Sequence, residues 1–181
     1  EWVHLGQAWK EAGNYDKAGE CFRAGLDFPY ARAAARLGLA QLALRMGRID
    51  DAFNEVKLSL NLDPGSSQAH IVLGSILMMR HDTQPALQEL QTAVSLRPQY
   101  LNAWLVYASG LIAAGEIDPA KQAIGKVASF RSDLPDILVL RAKLAMAQGN
   151  KAEAVSFLKS YLQARPEDPV IKGLVQELEQ P

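Results

Sequence analysis

The side chains that most often do chemistry, histidine and cysteine, are few in this chain and stand far apart. His4, His70 and His81 are the three histidines among the 181 residues. No two of them have the i, i+4 spacing that brings two imidazoles onto one metal ion. Cys21 is the one cysteine, so no disulfide can form within the chain. We expect Cys21 to be a buried packing residue and His81 to make a loop hydrogen bond.

Sequence motifs for catalysis and cofactor binding are also missing. The chain contains no G-x-S-x-G nucleophile elbow and no glycine-rich phosphate loop. It also contains no pair of carboxylates in surroundings that would raise a pKa. The sequence therefore predicts a protein that is not an enzyme and that uses neither a metal nor a cofactor.

Charge and hydropathy argue against two classes of partner. The 19 Lys and Arg are scattered among 20 Asp and Glu, for a net charge of −1, whereas nucleic-acid binding requires a clustered basic face. The longest apolar stretches, such as residues 71–79, are too short to cross a bilayer and are interrupted by Gly74 and Ser75. We therefore expect no nucleic acid as a partner and no membrane insertion by this segment.

The elements that position any site repeat every 34 residues. Three columns of residues show this period without insertion or deletion. One consists of alanines, one of turn glycines with His81 in the third place, and one of large apolar residues. They are Ala18, Ala52, Ala86, Ala120, Ala154; Gly13, Gly47, Gly115, Gly149; and Phe22, Val56, Leu90, Ile124, Leu158. An unbroken period of this length predicts stacked pairs of helices, each of which buries its apolar face against the next.

Each column predicts a structural role. The glycines should end the first helix of each pair in the left-handed conformation, and the alanines should lie where helices approach closely. The large apolar column should fill the space between successive pairs. Pro135 and Pro169 should begin helices, and Asp118 should be an N-cap that is followed by the first-turn proline Pro119.

The same columns carry a family resemblance. The first unit contains Trp2, Leu5, Gly6, Trp9, Ala18 and Phe22, and the third contains Leu73, Gly74, Ala86, Leu90 and Pro98. The first unit matches W-x₂-L-G-x₂-Y and A-x₃-F of the tetratricopeptide repeat, with Trp for Tyr, and the third matches much of the pattern, including its closing proline. The chain therefore resembles a tetratricopeptide-repeat protein over almost its whole length.

The resemblance implies an all-α fold, a right-handed superhelix of antiparallel helix pairs. We expect a single domain over 1–181, with repeats near 1–32, 33–66, 67–100, 101–134 and 135–168. Residues 169–180 should form a helix that caps the fifth repeat or opens a sixth. Because the chain opens inside a repeat on Glu1, without a Met or a signal peptide, we expect a piece of a longer protein. Its localisation stays open between the bacterial cytoplasm and periplasm.

In this family the first helices line a concave groove, which implies a set of partner-binding residues. Its apolar members are Leu37, Ile71, Leu105, Val139 and, further along the same helices, Leu44, Met78, Ile112, Met146. Its polar members are Gln41, Ser75, Ser109, Lys143 and, nearer the helix starts, Gln68, Asn102, Asp136. In one interpretation the apolar stripe binds an amphipathic helix or extended apolar segment. In the other these side chains fold back onto neighbouring helices.

The predicted function is a non-catalytic protein–protein interaction scaffold that binds a protein or peptide. Chaperone-binding members of the family hold a peptide carboxylate with a clamp of Lys, Asn and Arg. Here the corresponding places hold Val3, Gln7 and Leu37 or Gly38, which cannot bind a carboxylate by charge, so we expect no such clamp. The Ala- and Leu-rich helices resemble bacterial repeat proteins of envelope and export assembly. The alternative is a regulatory repeat array of a larger enzyme, such as a glycosyltransferase.

Overall fold

The computed structural model describes residues 1–180, and every regular element in that range is an α-helix. The chain divides into two compact units, residues 1–97 and the residues from Pro98 onward. We refer to them as unit 1 and unit 2. The expectation of one uninterrupted domain over the whole chain stays a prediction.

Unit 1 consists of three helix pairs. Its helices are α1 Trp2–Glu11, α2 Tyr15–Gly25, α3 Arg32–Arg45, α4 Ile49–Leu62, α5 Ser67–Met79 and α6 Thr83–Leu96. The two helices of each pair pack against each other, and α2 contacts α3 while α4 contacts α5. The first helices of the pairs also touch, α1 against α3 and α3 against α5. One side of unit 1 is therefore built from first helices.

Unit 2 repeats this arrangement with two pairs and one further helix. Its helices are α7 Leu101–Ala113, α8 Ile117–Phe130, α9 Pro135–Ala147, α10 Lys151–Ala164 and α11 Pro169–Glu179. The first helices α7 and α9 lie side by side, and α11 packs against α10. Ile171 and Val175 of α11 belong to the same buried cluster as Leu158 of α10. The last helix therefore covers apolar surface of the fifth pair.

The turn inside each pair contains one residue in the left-handed region, as the glycine column predicts. The φ angles are 77° at Gly13, 72° at Gly47, 77° at Gly115 and 77° at Gly149. His81 adopts φ 63° in the same place, where a Cβ is unfavourable. Its backbone N–H donates to the carbonyl of Met78 at 3.1 Å. The turn glycines make the same backbone bond, and the imidazole makes no hydrogen bond with residues 1–180, so the loop hydrogen bond expected of the His81 side chain was wrong.

The two packing columns lie in the core, as predicted. The alanines are fully buried, and the larger residues are 0–4% exposed. Phe22, the bulkiest of the latter, fits because two glycines face it. A Cβ placed at Gly6 or Gly38 would lie 2.6 or 2.4 Å from its ring, well inside van der Waals contact. Cys21 is also buried, which agrees with its expected packing role.

The proline signals predict where two helices begin, but the preceding turn and not the Asp118 signal sets the start of the second helix α8. Pro135 and Pro169 begin α9 and α11 as predicted. The assignment of Asp118 as an N-cap was wrong, because α8 begins at Ile117 and Glu116 is its N-cap. After the left-handed glycine one residue is enough to enter the second helix, so the cap is the residue directly after Gly115. Asp118 lies in the first turn, where its charge still favours the helix dipole.

Candidate partner-binding faces on the first helices

The predicted groove residues all lie on the first helices of their pairs. In unit 1, α3 carries Leu37, Gln41 and Leu44, and α5 carries Gln68, Ile71, Ser75 and Met78. In unit 2, α7 carries Asn102, Leu105, Ser109 and Ile112, and α9 carries Asp136, Val139, Lys143 and Met146. We call these two surfaces the first-helix face of unit 1 and the first-helix face of unit 2.

The apolar members of the two faces differ in exposure. Ile71 and Ile112 are buried, with 4% and 8% of their surfaces exposed. Leu105 and Val139 are half-buried, and Met146 is 38% exposed. In unit 1, three more members are half-buried and pack against the core cluster of that unit: Leu37, Leu44 and Met78. Packing inside the chain therefore accounts for Ile71 and Ile112, whereas the half-buried side chains keep a surface that a partner could cover.

Polar side chains on the first-helix face of unit 1 make hydrogen bonds within the chain, two of them with donors on α1. Gln7 Nε2 donates to Gln41 Oε1 at 3.4 Å, and Lys10 Nζ donates to the same oxygen. Ser75 Oγ donates to the backbone carbonyl of Ile71 at 2.9 Å. The pKa of Lys10 lies below its usual value, chiefly because the ammonium is partly buried and secondly because Arg45 is near. These bonds leave Gln41 and Ser75 with less capacity for an outside ligand.

Two side-chain contacts within unit 1, one ion pair and one contact between an imidazole and a carboxylate, hold a first helix to its second helix. Arg36 on α3 donates to both carboxylate oxygens of Glu55 on α4, at 3.1 and 2.9 Å. One period later, His70 Nδ1 lies 2.6 Å from Glu89 Oε2, and Nε2 of the same ring lies 3.0 Å from the carbonyl of Pro64. This pairing was not predicted from the sequence. The signal was present, because both members of the first pair recur 34 residues later as His70 and Glu89.

A cavity of about 320 Å³ opens between α7 and α9 on the first-helix face of unit 2. Its middle is apolar, with Leu105 and Val106 from α7 and Val139 and Leu140 from α9. Its other lining residues are polar: Asn102, Ser109, Asp136 and Lys143. All of these lining residues belong to the predicted groove except two, Val106 and Leu140, which were not among the predicted residues.

The polar lining residues of this cavity keep their side-chain hydrogen-bonding capacity. Within residues 1–180, none of Asn102, Ser109, Asp136 and Lys143 makes a side-chain hydrogen bond or ion pair with another residue. Asp136 lies in the first turn of α9 and Lys143 lies seven residues later. The rise of an α-helix separates them by about 10 Å along the axis. The cavity thus has a carboxylate at one end and an ammonium at the other.

Two observations concern membrane-spanning helices and metal sites. No helix within residues 1–180 has both the length and the apolar character needed to cross a membrane. In the same range, no group of three or more His, Cys, Asp or Glu side chains could hold a metal ion.

The family is shown by sequence and by structure. The family model described as tetratricopeptide repeat matches residues 3–67 and 108–169, which is more than half of the chain, so the chain belongs to the tetratricopeptide repeat family. A thermophilic tetratricopeptide-repeat protein of Thermus thermophilus superposes with a TM-score of 0.80 at 21% identity, over 98% of this chain and 96% of that one.

Two further solved structures show the same fold. The MamA protein gives a TM-score of 0.68 at 25% identity, over 90% of this chain and 88% of its own. YrrB is described as a tetratricopeptide-repeat protein with an unusual peptide-binding site. It gives a TM-score of 0.70 at 16% identity, over 97% of this chain and 90% of its own. No curated protein sequence matches the chain. The fold class is therefore all-α with the helix pairs of a tetratricopeptide-repeat solenoid, a fold that in general serves as a protein-interaction scaffold.

Proposed function

We propose that this chain is a non-catalytic scaffold that binds a peptide or an amphipathic segment of a partner protein on its first-helix faces. One observation carries the proposal: the cavity between α7 and α9, which combines an apolar floor with polar side chains that have no partner within residues 1–180. Such a combination is typical of binding sites, because apolar contact supplies affinity and the few polar groups orient the ligand.

The character of the cavity favours a polypeptide over other ligands. Ser109 and Asn102 offer a hydroxyl and an amide that can pair with the backbone of a bound segment. Half-buried Leu105 and Val139 offer surface that an apolar side chain would cover. Lys143 is the single cationic group of the lining and is accompanied by one carboxylate and by neutral groups. A nucleic-acid phosphate backbone is therefore not favoured as a ligand. YrrB, with its peptide-binding site, gives an example of the same fold in this use.

The cellular setting that we propose is the assembly of a bacterial envelope or export complex. The support is compositional: the helices are rich in Ala and Leu, and aromatic residues make up 7% of the chain. The test is the full coding sequence of the protein and any further domain that it encodes. A membrane-anchored or outer-membrane neighbour would agree with the proposal, and a nucleotide-sugar-binding domain would replace it with a regulatory array of an enzyme.

The binding proposal is tested by capturing a partner and then altering the face. A photo-crosslinking amino acid at Ser109 captures the partner from a lysate, and calorimetry then measures its affinity for the wild type, Leu105→Asp and Leu62→Asp. Leu62 is 51% exposed on the second helix α4, so Leu62→Asp makes the same chemical change elsewhere. We expect Leu105→Asp to weaken binding about tenfold or more, because a carboxylate replaces an apolar contact. Equal affinity in all three, with helicity intact, would overturn the proposal.

A further inference from the structure

The unit 2 cavity differs from the rest of the first-helix columns in its charge. On α9 the columns hold Asp136 and Lys143. On α3 and α5 the same columns hold only uncharged residues: Ala34, Leu37, Gln41, Gln68, Ile71 and Ser75. An arrangement with an acid at one end, a base at the other and an apolar floor between them is therefore specific to the cavity between α7 and α9.

We propose that this cavity selects a segment in which an apolar side chain stands between a basic and an acidic residue. The inference rests on the proposed function and names the chemistry of its ligand. The apolar side chain would cover Leu105 and Val139, the basic residue would face Asp136, and the acidic residue would face Lys143. Neither charge is neutralised within residues 1–180, so a partner with the complementary order meets no competing ion pair.

The length of the cavity sets the spacing of the ligand. Alternate residues of an extended chain lie on one side, and each residue advances the chain by about 3.3 Å. A core of Lys-Ala-Leu-Ala-Glu therefore directs all three contact residues to one side and spans about 13 Å. The Cα atoms of Asp136 and Lys143 are about 10 Å apart along α9, and the flexible Lys and Glu side chains take up the difference.

The charges should set specificity more than affinity. Lys143 is exposed and Asp136 is half-buried, and ion pairs at such exposed positions contribute modestly to binding. Like charges brought together at an interface disfavour a wrong partner. The sharpest test is therefore a change of preference among ligands rather than the loss of one ligand.

The experiment uses four fluorescein-labelled 12-residue peptides and the whole chain. The cores of the first three are Lys-Ala-Leu-Ala-Glu, Lys-Ala-Leu-Ala-Lys and Glu-Ala-Leu-Ala-Glu. The fourth peptide has the core Lys-Ala-Ser-Ala-Glu, in which Ser replaces the Leu of the first. Fluorescence anisotropy should show that the wild type binds the first core about three- to tenfold more tightly than the other three. Asp136→Lys should then prefer the core with two Glu, and Lys143→Glu should prefer the core with two Lys.

The control is Lys172→Glu on α11, an exposed lysine outside the cavity, which should keep the wild-type preference. If Lys172→Glu also changes the preference among the peptides, the preference follows the net charge of the protein and the inference is overturned. Binding that ignores charge but is lost in Leu105→Asp would overturn the charge order and leave the proposed function standing. If no peptide binds while the captured partner still depends on Leu105, the inference fails alone. If Leu105→Asp affects neither ligand, both proposals fail.

Discussion

The two first-helix faces are built on the same columns and yet are chemically different. In unit 1 the polar-column residue Gln41 accepts hydrogen bonds from Gln7 and Lys10, and Ile71 of the apolar column is buried. In unit 2 the corresponding apolar residue Leu105 is half-buried, and its polar neighbours have no side-chain partner within residues 1–180. The polar groups on the face of unit 1 thus serve the fold to a greater extent than those of the unit 2 cavity, and this difference is the basis of the binding role that we propose for unit 2.

This difference shows that a column in a repeat protein fixes where a side chain points but does not fix its role. Repeats stack through nearest-neighbour contacts, so each position takes its exposure from the residues on the adjacent helices. Those residues vary from one pair to the next. The same column can therefore be core in one pair and partly exposed surface in another.

The largest expected effect contrasts Ile71→Asp with Leu105→Asp, two substitutions one period apart. Ile71 is 4% exposed, so a carboxylate there is buried without a partner and should cost about 3–5 kcal/mol of the free energy of unfolding. Leu105 is half-buried, and its substitution should cost about 1 kcal/mol, because much of the new charge stays in water. Urea denaturation followed by circular dichroism measures both. Similar losses of unfolding free energy in the two variants would contradict the difference between the two faces.

The alanine column should show no difference between the units. Ala86 in unit 1 and Ala120 in unit 2 are both fully buried. Ala86→Leu and Ala120→Leu should each cost about 1–3 kcal/mol through overpacking. The same denaturation experiment applies, with Ala113→Leu on an exposed helix position as the control. A neutral Ala86→Leu would show that this column does not lie at a close helix contact.

A smaller effect compares the polar columns of the two faces. Gln41→Ala removes the acceptor for both Gln7 and Lys10 and should cost about 1 kcal/mol, because a partly buried donor loses its partner. Ser109→Ala removes a hydroxyl with no partner within residues 1–180 and should change stability by less than about 0.5 kcal/mol. Thermal unfolding of the two variants measures this. A Ser109→Ala loss as large as that of Gln41→Ala would mean that unit 2 also uses its polar column for folding.

The smallest effect lies in the turns. His81→Gly should stabilise the chain by up to about 1 kcal/mol, because the left-handed conformation at φ 63° is unfavourable for a residue with a Cβ. Gly115→His, the reverse change in unit 2, should destabilise by a similar amount, since a Cβ added at Gly115 would meet no other atom within 4 Å and only backbone strain differs. Calorimetric melting temperatures measure the two shifts. Shifts of the same sign would contradict this explanation.

The fold could be predicted because its determinants repeat. The 34-residue period places glycines at the left-handed turns and alanines at the close contacts, and both roles depend on backbone geometry that every pair shares. Asp118 shows the limit of local signals. An Asp before a Pro is a good N-cap pattern, but the turn after Gly115 had already set the start of α8 at Ile117.

The candidate site could be predicted only in outline. The columns named both helices that line the cavity and six of its eight lining residues, because helical periodicity fixes which side of a helix a residue occupies. They could not separate Ile71 from Leu105, since exposure depends on side chains of other helices. Nor could they find the bond from Lys10 to Gln41, because those residues are 31 positions apart and fall in different columns.

The central claim, that a partner binds the first-helix face of unit 2, is tested most directly by amide hydrogen exchange with and without the crosslink-identified partner. Helices α7 and α9 carry the cavity, whereas α8 and α10 carry none of its lining residues. The account predicts slower exchange on binding in peptides from α7 and α9, and unchanged exchange in α8 and α10. Slower exchange confined to α8 and α10, with α7 and α9 unchanged, would contradict it.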